Sequence, residues 1–566
     1  MRIKCALITT TQVDAGIRAL SGLVQAAGLP RPLMINLATG ANTFPESYPG
    51  AIKEQILRIV KEQDCTFLCF SLVDLFLNRT IDLMGYLKRR SNLPLIVGGI
   101  RAELYSEQTI SVEWIDALCT GEAYASFVKV LLNWEDRFSV NLADFWFKNG
   151  DNGIKRNSLT RFYHGDDFYA VPVPDYSYQG YYLLDGEKVR DLSTNPDDGP
   201  FRVEQHQIGH EGSVIYNSMA GCSNHCSFCN LAAQTKLRQG KESPLRRYRQ
   251  KPMPIVQREL EALVRHNRNM KFLCVMENDF TCRPEGDLEE YCGFISQICR
   301  VPFYTMVSPQ TLTDKKLKIM VESGLREINM GIQTNAVFND EYYDRQVSDE
   351  KIVQTVRMIH NYSNQVHPFY DFINFNPEEH NGSMLQTLNL INQFPLPFDF
   401  VIHHLTLGEE LLLYKRLVVE KKIPGEEVKK TSRSDYHNLS FEDYKHWPTF
   451  YLNLLLEWIA GQHNEEWVGR VPRKVGKLEE TRFGKRLLSH KAIRERMKNV
   501  AISPHTDVLI LLTETFFDIL NAAKYRVLLE ELNDLLPFVR YTNQEWLTDD
   551  PYKVRETSNR LPKPTF

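Results

Sequence analysis

The sequence has neither a long apolar run nor a marked excess of one charge. No uninterrupted apolar stretch approaches the roughly 20 residues that a membrane-spanning helix needs, and the longest suspect, at residues 508–512, is closely followed by Glu514 and Asp518. The 67 Lys and Arg residues nearly balance the 71 Asp and Glu residues, which gives a formal net charge of -4. We therefore expect no membrane span, and no nucleic-acid partner because such binding usually requires a basic surface.

Secretory features and tight cysteine groups are also scarce. The opening MRIKCALITT lacks the charged segment, long apolar segment and cleavage site of a signal peptide, so we expect a cytoplasmic protein. Eleven cysteines are spread along the chain, and disulfides would be unusual in such a compartment. Only residues 222–229 hold a tight cysteine group, which therefore indicates metal or redox chemistry.

The order of apolar runs and helical patterns predicts an α/β protein of several domains. In residues 1–135, five short apolar runs alternate with helical patterns, as in a doubly wound, Rossmann-like parallel sheet. Residues 136–210 are rich in aromatic residues, Asp, Pro and Gly, and we expect a connecting segment with little regular structure, packed between two domains. Residues 211–430 show six strand and helix units, which suggest a partial (β/α)6 barrel with its site at the strand carboxyl ends. Residues 431–566 predict a helical packing or lid domain.

The cysteine group has the spacing CxxxCxxC, formed by Cys222, Cys226 and Cys229. Three thiolates on one short loop can hold three irons of a 4Fe-4S cluster and leave one iron open to another ligand. The alternative is a zinc site with His225 as the fourth ligand. Structural zinc usually has paired ligand groups, however, and no partner pair follows here, so we favour the cluster.

This motif, with Phe228 before its last cysteine and an apolar strand before the loop, resembles the radical S-adenosylmethionine (SAM) superfamily. In that superfamily SAM chelates the open iron, and an electron from the cluster cleaves SAM to a 5'-deoxyadenosyl radical. The resemblance implies an electron donor such as flavodoxin or ferredoxin. It also implies SAM contacts at six positions that follow the successive strands: Phe228, Glu277, Asn278, Ser308, Gln333 and Arg345.

The first domain resembles the cobalamin-binding domain of the same group of enzymes. Many such domains carry a cobalt-ligating histidine after the first strand, where this chain has Val13, so the resemblance implies a cobalt without imidazole beneath it. The alternative is a doubly wound domain that binds another nucleotide or nothing. The implied cobalamin contacts lie at or after strand ends: Val13, Ser71, Leu72, Gly98, Gly99, Gly121 and Glu122.

Together the two resemblances imply an oxygen-sensitive, cobalamin-dependent radical SAM methyltransferase, of a kind found in natural-product biosynthesis. Its methyl group would pass through methylcobalamin to an unactivated carbon of a small-molecule or peptide substrate. Two alternatives remain. The first is a non-methylating reaction with the same cofactors, namely a rearrangement, a ring contraction or an oxidative cyclisation. The second is a metal-binding sensor without enzymatic activity. Residues with weaker indications are a strand-end pair, His403 and His404, a thiol expected to be buried, Cys282, and the basic run Arg246, Arg247 and Arg249.

Overall fold

The computed structural model describes residues 3–420, except for 12, 39–46, 151–152, 161, 194–211, 238–247 and scattered positions between 375 and 406. These residues belong to one compact unit. In this part of the chain, none of the helices combines the length and the apolar character needed to cross a bilayer. The helical domain predicted at residues 431–566 lies outside the described residues.

The N-terminal part is a nine-stranded sheet with helices on its faces. Its parallel core has the strand order β2-β1-β3-β4-β5, so β1 lies between β2 and β3 and the order reverses there. The core strands are β1 (Cys5–Thr9), β2 (Leu33–Asn36), β3 (Phe67–Ser71), β4 (Leu95–Gly98) and β5 (Ala117–Cys119). The helices are α1 (Ala15–Ala26), α2 (Gly50–Glu62), α3 (Leu77–Ser91), α4 (Ile100–Leu104), α5 (Ser106–Ser111) and α6 (Phe127–Leu132). Sheets of this order bind ligands at the β1/β3 reversal point, beyond the strand carboxyl ends.

The segment predicted to connect two domains instead contributes four strands to this sheet. They are β6 (Phe145–Lys148) and β7 (Ile154–Arg156) at one edge, and β8 (Tyr181–Asp185) and β9 (Lys188–Asp191) at the other. The expectation of little regular structure was therefore wrong. These strands are short and are interrupted by turn residues, so the sequence showed no clear strand pattern. Their aromatic side chains are nevertheless packed, and Tyr181 is completely buried.

The second part is a six-stranded, all-parallel sheet whose strands follow one another in chain order, as predicted. Its strands are β10 (Ser213–Tyr216), β13 (Phe272–Val275), β14 (Phe303–Val307), β15 (Leu325–Gln333), β16 (His367–Asn374) and β17 (Asp399–His404). A two-stranded antiparallel hairpin, β11 (Met219–Gly221) with β12 (Tyr248–Gln250), is separate from this sheet. The helices are α7 (Asn230–Leu237), α8 (Met253–His266), α9 (Glu285–Phe294), α10 (Asp314–Glu322), α11 (Ala336–Tyr343), α12 (Asp349–His360) and α13 (Leu412–Val419).

Alternate side chains of the barrel strands pack against different partners. Val214, Leu273 and Val275 lie in the large apolar core formed with helices α8, α9 and α10. Their neighbours Cys274 and Ile215 point to the other face and join an apolar cluster with strands β1, β3 and β4 of the N-terminal sheet. The inner face of the partial barrel is therefore packed in part by the N-terminal domain, and the two parts share a core.

Two glycines of α1 provide a test of this packing. A Cβ at Gly22 would lie 2.4 Å from the backbone oxygen of Val173, whereas a Cβ at Gly16 would meet nothing within 4 Å. We expect Gly22→Ala to lower the melting temperature despite the higher helix propensity of Ala, and Gly16→Ala to leave it unchanged or raise it. Equal melting temperatures for the two variants, measured by circular dichroism, would contradict the close approach of α1 to residue 173.

Candidate active site at the carboxyl ends of the barrel strands

The three cysteines lie on one loop between β11 and α7. Gly221, at the end of β11, has a φ of +85°, which glycine adopts without strain, and Cys222 follows directly. Cys226 is buried, while Cys222 and Cys229 are partly exposed. The Cys229 amide donates to the Cys226 carbonyl at 2.9 Å, and α7 begins at the next residue. The loop is thus fixed at its start by a turn and at its end by a helix.

Ser227 and Phe228 hold the middle of this loop against the barrel. The amide of Ser227 donates to the carbonyl of Tyr343 at 3.0 Å, and its hydroxyl donates to the carbonyl of Tyr342 at 2.6 Å. The amide of Leu413 donates to the Ser227 carbonyl at 2.9 Å. The Phe228 ring packs edge-on against Tyr343, with centroids 4.8 Å apart. Its contact with adenine remains a prediction, but the ring lies beside the cysteines as expected.

Burial affects the thiol of Cys222 directly. It raises the pKa of this thiol to about 11, with the Asn224 amide, 3.4 Å from the sulfur, acting in the opposite direction. No three His, Cys, Asp or Glu side chains among the described residues converge as they would around a single metal ion. A 4Fe-4S cluster does not require such convergence, because each thiolate binds a different iron.

Arg345 lies beside the buried cysteine. One terminal nitrogen, Nη1, is 3.4 Å from the Cys226 sulfur, and the other, Nη2, donates to the carbonyl of Gly331 at 2.6 Å. Its Nε is buried and has no hydrogen-bond partner among the residues that the structure describes. A planar guanidinium with an unused donor next to the cysteines fits a ligand that carries a carboxylate, as SAM does.

Gln333 is brought to the same place by an irregularity in β15. The pairing of β15 with β16 shifts register between Gly331 and Gln333, and Gln333 has a φ of +73°. A Cβ at Gly331 would lie 2.6 Å from the Gln333 amide nitrogen and 3.6 Å from Arg345 Nη2. The absence of a side chain at Gly331 thus lets the Gln333 amide lie here, close to Arg345.

Asn278 and Ser308 also contact the cysteine loop. The Asn278 side-chain amide donates to the Gly221 carbonyl at 3.0 Å. The Asn224 side-chain amide lies 3.4 Å from the hydroxyl of Ser308, which follows β14. The ends of the second and third barrel strands therefore meet the loop at residues that the sequence singled out.

Glu277 has a different environment from the predicted one. Its side chain is completely buried and forms an ion pair with the equally buried Arg283. The other carboxylate oxygen accepts from the Ser218 amide at 3.0 Å and from the Ser218 hydroxyl at 2.6 Å. With both oxygens engaged, Glu277 supports the strand ends and does not face the cysteine loop as an open carboxylate.

The carboxylate that contacts the loop belongs to Asp279, which sequence reasoning did not single out. It accepts from the Ser223 hydroxyl at 2.9 Å and from the hydroxyls of Thr281 and Thr311 at 2.9 and 2.8 Å. Asp279 lies two residues beyond Glu277. The strand-end ENDFT contained both carboxylates, but only their partners distinguish the two roles.

The N-terminal domain brings four of the predicted cobalamin contacts together at the β3 and β4 ends. Gly99 has a φ of +94°, and a Cβ there would lie 2.7 Å from the Leu72 carbonyl and 3.2 Å from the Ser71 hydroxyl. The Leu72 amide donates to the Gly98 carbonyl at 2.8 Å. Val13, which follows β1 at the reversal point, is 42% exposed. Gly98 is partly exposed and Gly99 is exposed, so backbone without a side chain forms the surface of these strand ends.

Gly121 and Glu122 are engaged elsewhere. A Cβ at Gly121 would lie 2.5 Å from the carboxyl carbon of Asp144. Glu122 pairs with Arg249 at 2.7 Å and accepts from the Tyr163 amide at 2.9 Å. The structure thus uses Glu122 to tie the N-terminal domain to hairpin strand β12, which is not the ligand contact predicted for it.

The remaining residues with weak sequence indications have ordinary partners or fall outside the described residues. Arg249 is buried by its pairing and lies over the Phe162 ring, while Arg246 and Arg247 are not described. Burial raises the pKa of the Cys282 thiol to about 12, and its sulfur lies 3.6 Å from that of Met219. His403 lies 3.6 Å from the Asp371 carboxylate, and the side chain of His404 is not described.

Helix α4 connects the two candidate sites. It begins directly after Gly99, and its Glu103 accepts a hydrogen bond from Gln234 of α7. Leu104 and Tyr105 pack in the same apolar cluster as Phe228. The β4 end and the cysteine loop therefore rest on one continuous packed surface.

Comparisons with known proteins agree with this arrangement. Residues 216–391 match the sequence model of the radical SAM superfamily. The radical SAM methyltransferase TsrM from Kitasatospora setae, with tryptophan substrate and a SAM analogue bound, is similar with a TM-score of 0.54, 12% identity, and coverage of 74% of this chain and 76% of that chain. The cobalamin-dependent SAM radical enzyme OxsB, with aqua-cobalamin and SAM bound, gives a TM-score of 0.52 at 13% identity, over 91% of this chain and 75% of that chain.

No curated protein sequence matches the chain. At these identities the two solved structures establish a common fold, and the superfamily match covers the cysteine loop and the strands from β13 to β16. The chain therefore contains a radical SAM domain, within a fold that it shares with cobalamin-dependent radical SAM enzymes.

Proposed function

We propose that the protein is a cobalamin-dependent radical SAM methyltransferase that transfers a methyl group to an unactivated carbon of a small-molecule or peptide substrate. The observation that carries this proposal is the loop of Cys222, Cys226 and Cys229 at the strand carboxyl ends, with the unused Nε donor of Arg345 next to it. When bound, the cluster and SAM supply a 5'-deoxyadenosyl radical, and cobalamin supplies a methyl carrier.

The residues of the radical SAM domain have distinct roles in this proposal. The three cysteines hold three irons, and Arg345 pairs with the SAM carboxylate through its free Nε and its Nη atoms. Asn278, Ser308 and Gln333 add polar contacts. These side chains would bind SAM and fix its orientation beside the cysteine loop.

The N-terminal domain would hold cobalamin at the β1/β3 reversal point. Support comes from the strand order and from the close contact of Gly99 with Ser71 and Leu72, which leaves backbone as the surface of the site. TsrM, which has the same fold, has been solved with cobalamin and a 4Fe-4S cluster bound. Val13, which follows β1 at this point, has no side-chain group that ligates a metal, so the other residues of the strand ends would hold the cofactor.

An electron donor is also required. We propose a flavodoxin or ferredoxin, which would approach the partly exposed side of the loop at Cys222 and Cys229. A cytoplasmic location suits such a donor and an oxygen-sensitive cluster.

Iron loading tests the cysteine assignment. After anaerobic reconstitution with iron and sulfide, the wild type should retain about four irons per chain, and Cys222→Ala, Cys226→Ala and Cys229→Ala should each lose most of them, because each thiolate holds a separate iron. Cys282→Ala is the matched control, since this cysteine lies near the loop but is not assigned to the cluster. Full iron in a triad variant, or loss of iron in the control, would contradict the assignment.

Cobalt retention tests the N-terminal site. A Cβ at Gly98 would meet only the Cys119 side chain, at 3.6 Å, so Gly98→Val should fold while it fills space at the β4 end. We expect this variant to lose most of the cobalt retained after incubation with hydroxocobalamin and desalting, at an unchanged melting temperature. Gly150→Val, at a position with nothing within 4 Å, should keep it. A wild type that retains no cobalt refutes the cobalamin assignment.

Isotope transfer tests the reaction. With reductant, hydroxocobalamin and SAM labelled with deuterium in its methyl group, a methyltransferase should yield 5'-deoxyadenosine, S-adenosylhomocysteine and a product that carries the labelled methyl. Candidate small molecules and peptides can be screened by mass spectrometry. A transformed product without the label would instead support the non-methylating alternative, and a wild type that cleaves no SAM would exclude both. Cys226→Ala serves as the inactive control.

A further inference from the structure

Three polar side chains lie on the inner face of the last three barrel strands. Tyr370 of β16 and Met330 of β15 pack outward among the helices, so the alternate residues Asn329 and Asp371 point inward. Asp371 pairs in register with Val401 of β17, and His403 lies two residues further on the same face. The structure thus places an amide, a carboxylate and an imidazole next to one another inside the barrel.

The Asp371 carboxylate is held in place through only one of its oxygens. Its Oδ1 accepts from the Asn329 side chain at 2.8 Å, and the same oxygen lies 3.6 Å from Nε2 of His403. That distance is too long for a direct hydrogen bond. Its Oδ2 makes no hydrogen bond to any described residue, and the Asp371 side chain is 19% exposed. A fixed carboxylate therefore presents one acceptor oxygen to the barrel interior.

The register places this oxygen next to the proposed SAM site. Asp371 is paired with Gly331 of the neighbouring strand, and the Gly331 carbonyl accepts the hydrogen bond from Arg345. Toward the first barrel strands, the inner-face residues Cys274, Tyr304 and Met306 pack with the N-terminal core instead. Asp371 and His403 therefore form a polar patch at the level where the proposed function places the radical.

We propose that Asp371, positioned by Asn329 and lying beside His403, binds a cationic nitrogen of the substrate, such as a protonated amine or a guanidinium. A partly buried carboxylate with one unsatisfied oxygen gains most from a ligand that supplies both a positive charge and a donor. The assignment rests on the proposed function, because it takes the barrel interior as the substrate site. The ammonium group of SAM is also a cationic nitrogen. The experiment below distinguishes binding of a substrate nitrogen from binding of the SAM nitrogen.

The test compares the wild type with Asp371→Asn, which keeps the size of the side chain and removes its charge. Asp314→Asn is the matched control, since it removes an equal charge from an exposed position in the first turn of the outer helix α10. Each protein is first loaded with iron, hydroxocobalamin and SAM, and SAM affinity is measured by equilibrium dialysis. The affinities of two amines, tryptamine and phenethylamine, and of their neutral alcohols, tryptophol and phenethyl alcohol, are then measured in the same way.

We expect the wild type and the Asp314→Asn control to prefer the amines over the alcohols by about tenfold or more, because a charge-assisted hydrogen bond is lost with the alcohols. Asp371→Asn should lose this preference, with unchanged SAM affinity and metal content. His403→Gln should retain part of it. This ratio of affinities would not respond to a merely structural role of Asp371, which would lower iron content or SAM affinity instead.

Two results would overturn the assignment. An Asp371→Asn variant that loses SAM affinity but keeps the amine preference would assign the carboxylate to SAM. A wild type that binds amines no better than alcohols would show that the carboxylate is not a cation site. A wild type that fails to retain iron or to cleave SAM refutes the proposed function itself, so the two failures are distinguishable.

Discussion

The buried ion pair between Glu277 and Arg283 supports the cysteine loop. Both side chains are completely buried, and Ser218, which precedes strand β11 and hence the loop, donates to Glu277 through its amide and its hydroxyl. Arg283 also donates to the Ser218 hydroxyl at 2.8 Å. Removal of one partner from a buried pair of this kind costs about 3–5 kcal/mol, because the other charge is left buried and uncompensated. The residues that present the first cysteine therefore depend on charges that never reach the ligand.

From this anchor the site extends through short contacts to both domains. Ser227 ties the loop to the end of α11 and the start of α13, and Arg345 joins Cys226 to the bulged end of β15. Helix α4, starting at Gly99, packs against α7 behind the cysteines. Because the N-terminal core also packs on the inner face of the barrel strands, the two candidate cofactor sites are built on one rigid surface.

Much of the fold followed from periodicity. The alternation of apolar runs and helical patterns predicted both parallel sheets, since buried parallel strands are nearly continuous apolar runs. It failed at residues 136–210, where β6–β7 and β8–β9 form two short hairpins, and each hairpin joins an edge of the sheet through a strand whose partner lies elsewhere in the chain. For example, β8 pairs with β2, with Tyr181 opposite Met34. Such pairings have no local signal, because the hydrogen-bonding edge they complete is formed by another part of the chain.

The sequence by itself placed Cys222, Cys226 and Cys229 on one loop, because they are close together in the chain, and their spacing indicated the superfamily whose model matches residues 216–391. It also located Asn278, Ser308, Gln333 and Arg345, which follow strands whose ends must meet at one edge. Only the tertiary structure decided which carboxylates are available to a ligand. Glu277 and Glu122 are neutralised by Arg283 and Arg249, whereas Asp371 is held by Asn329 at Oδ1 and has no partner at Oδ2 among the described residues. The role of a charged group depends on its partners, and folding brings these together from distant positions.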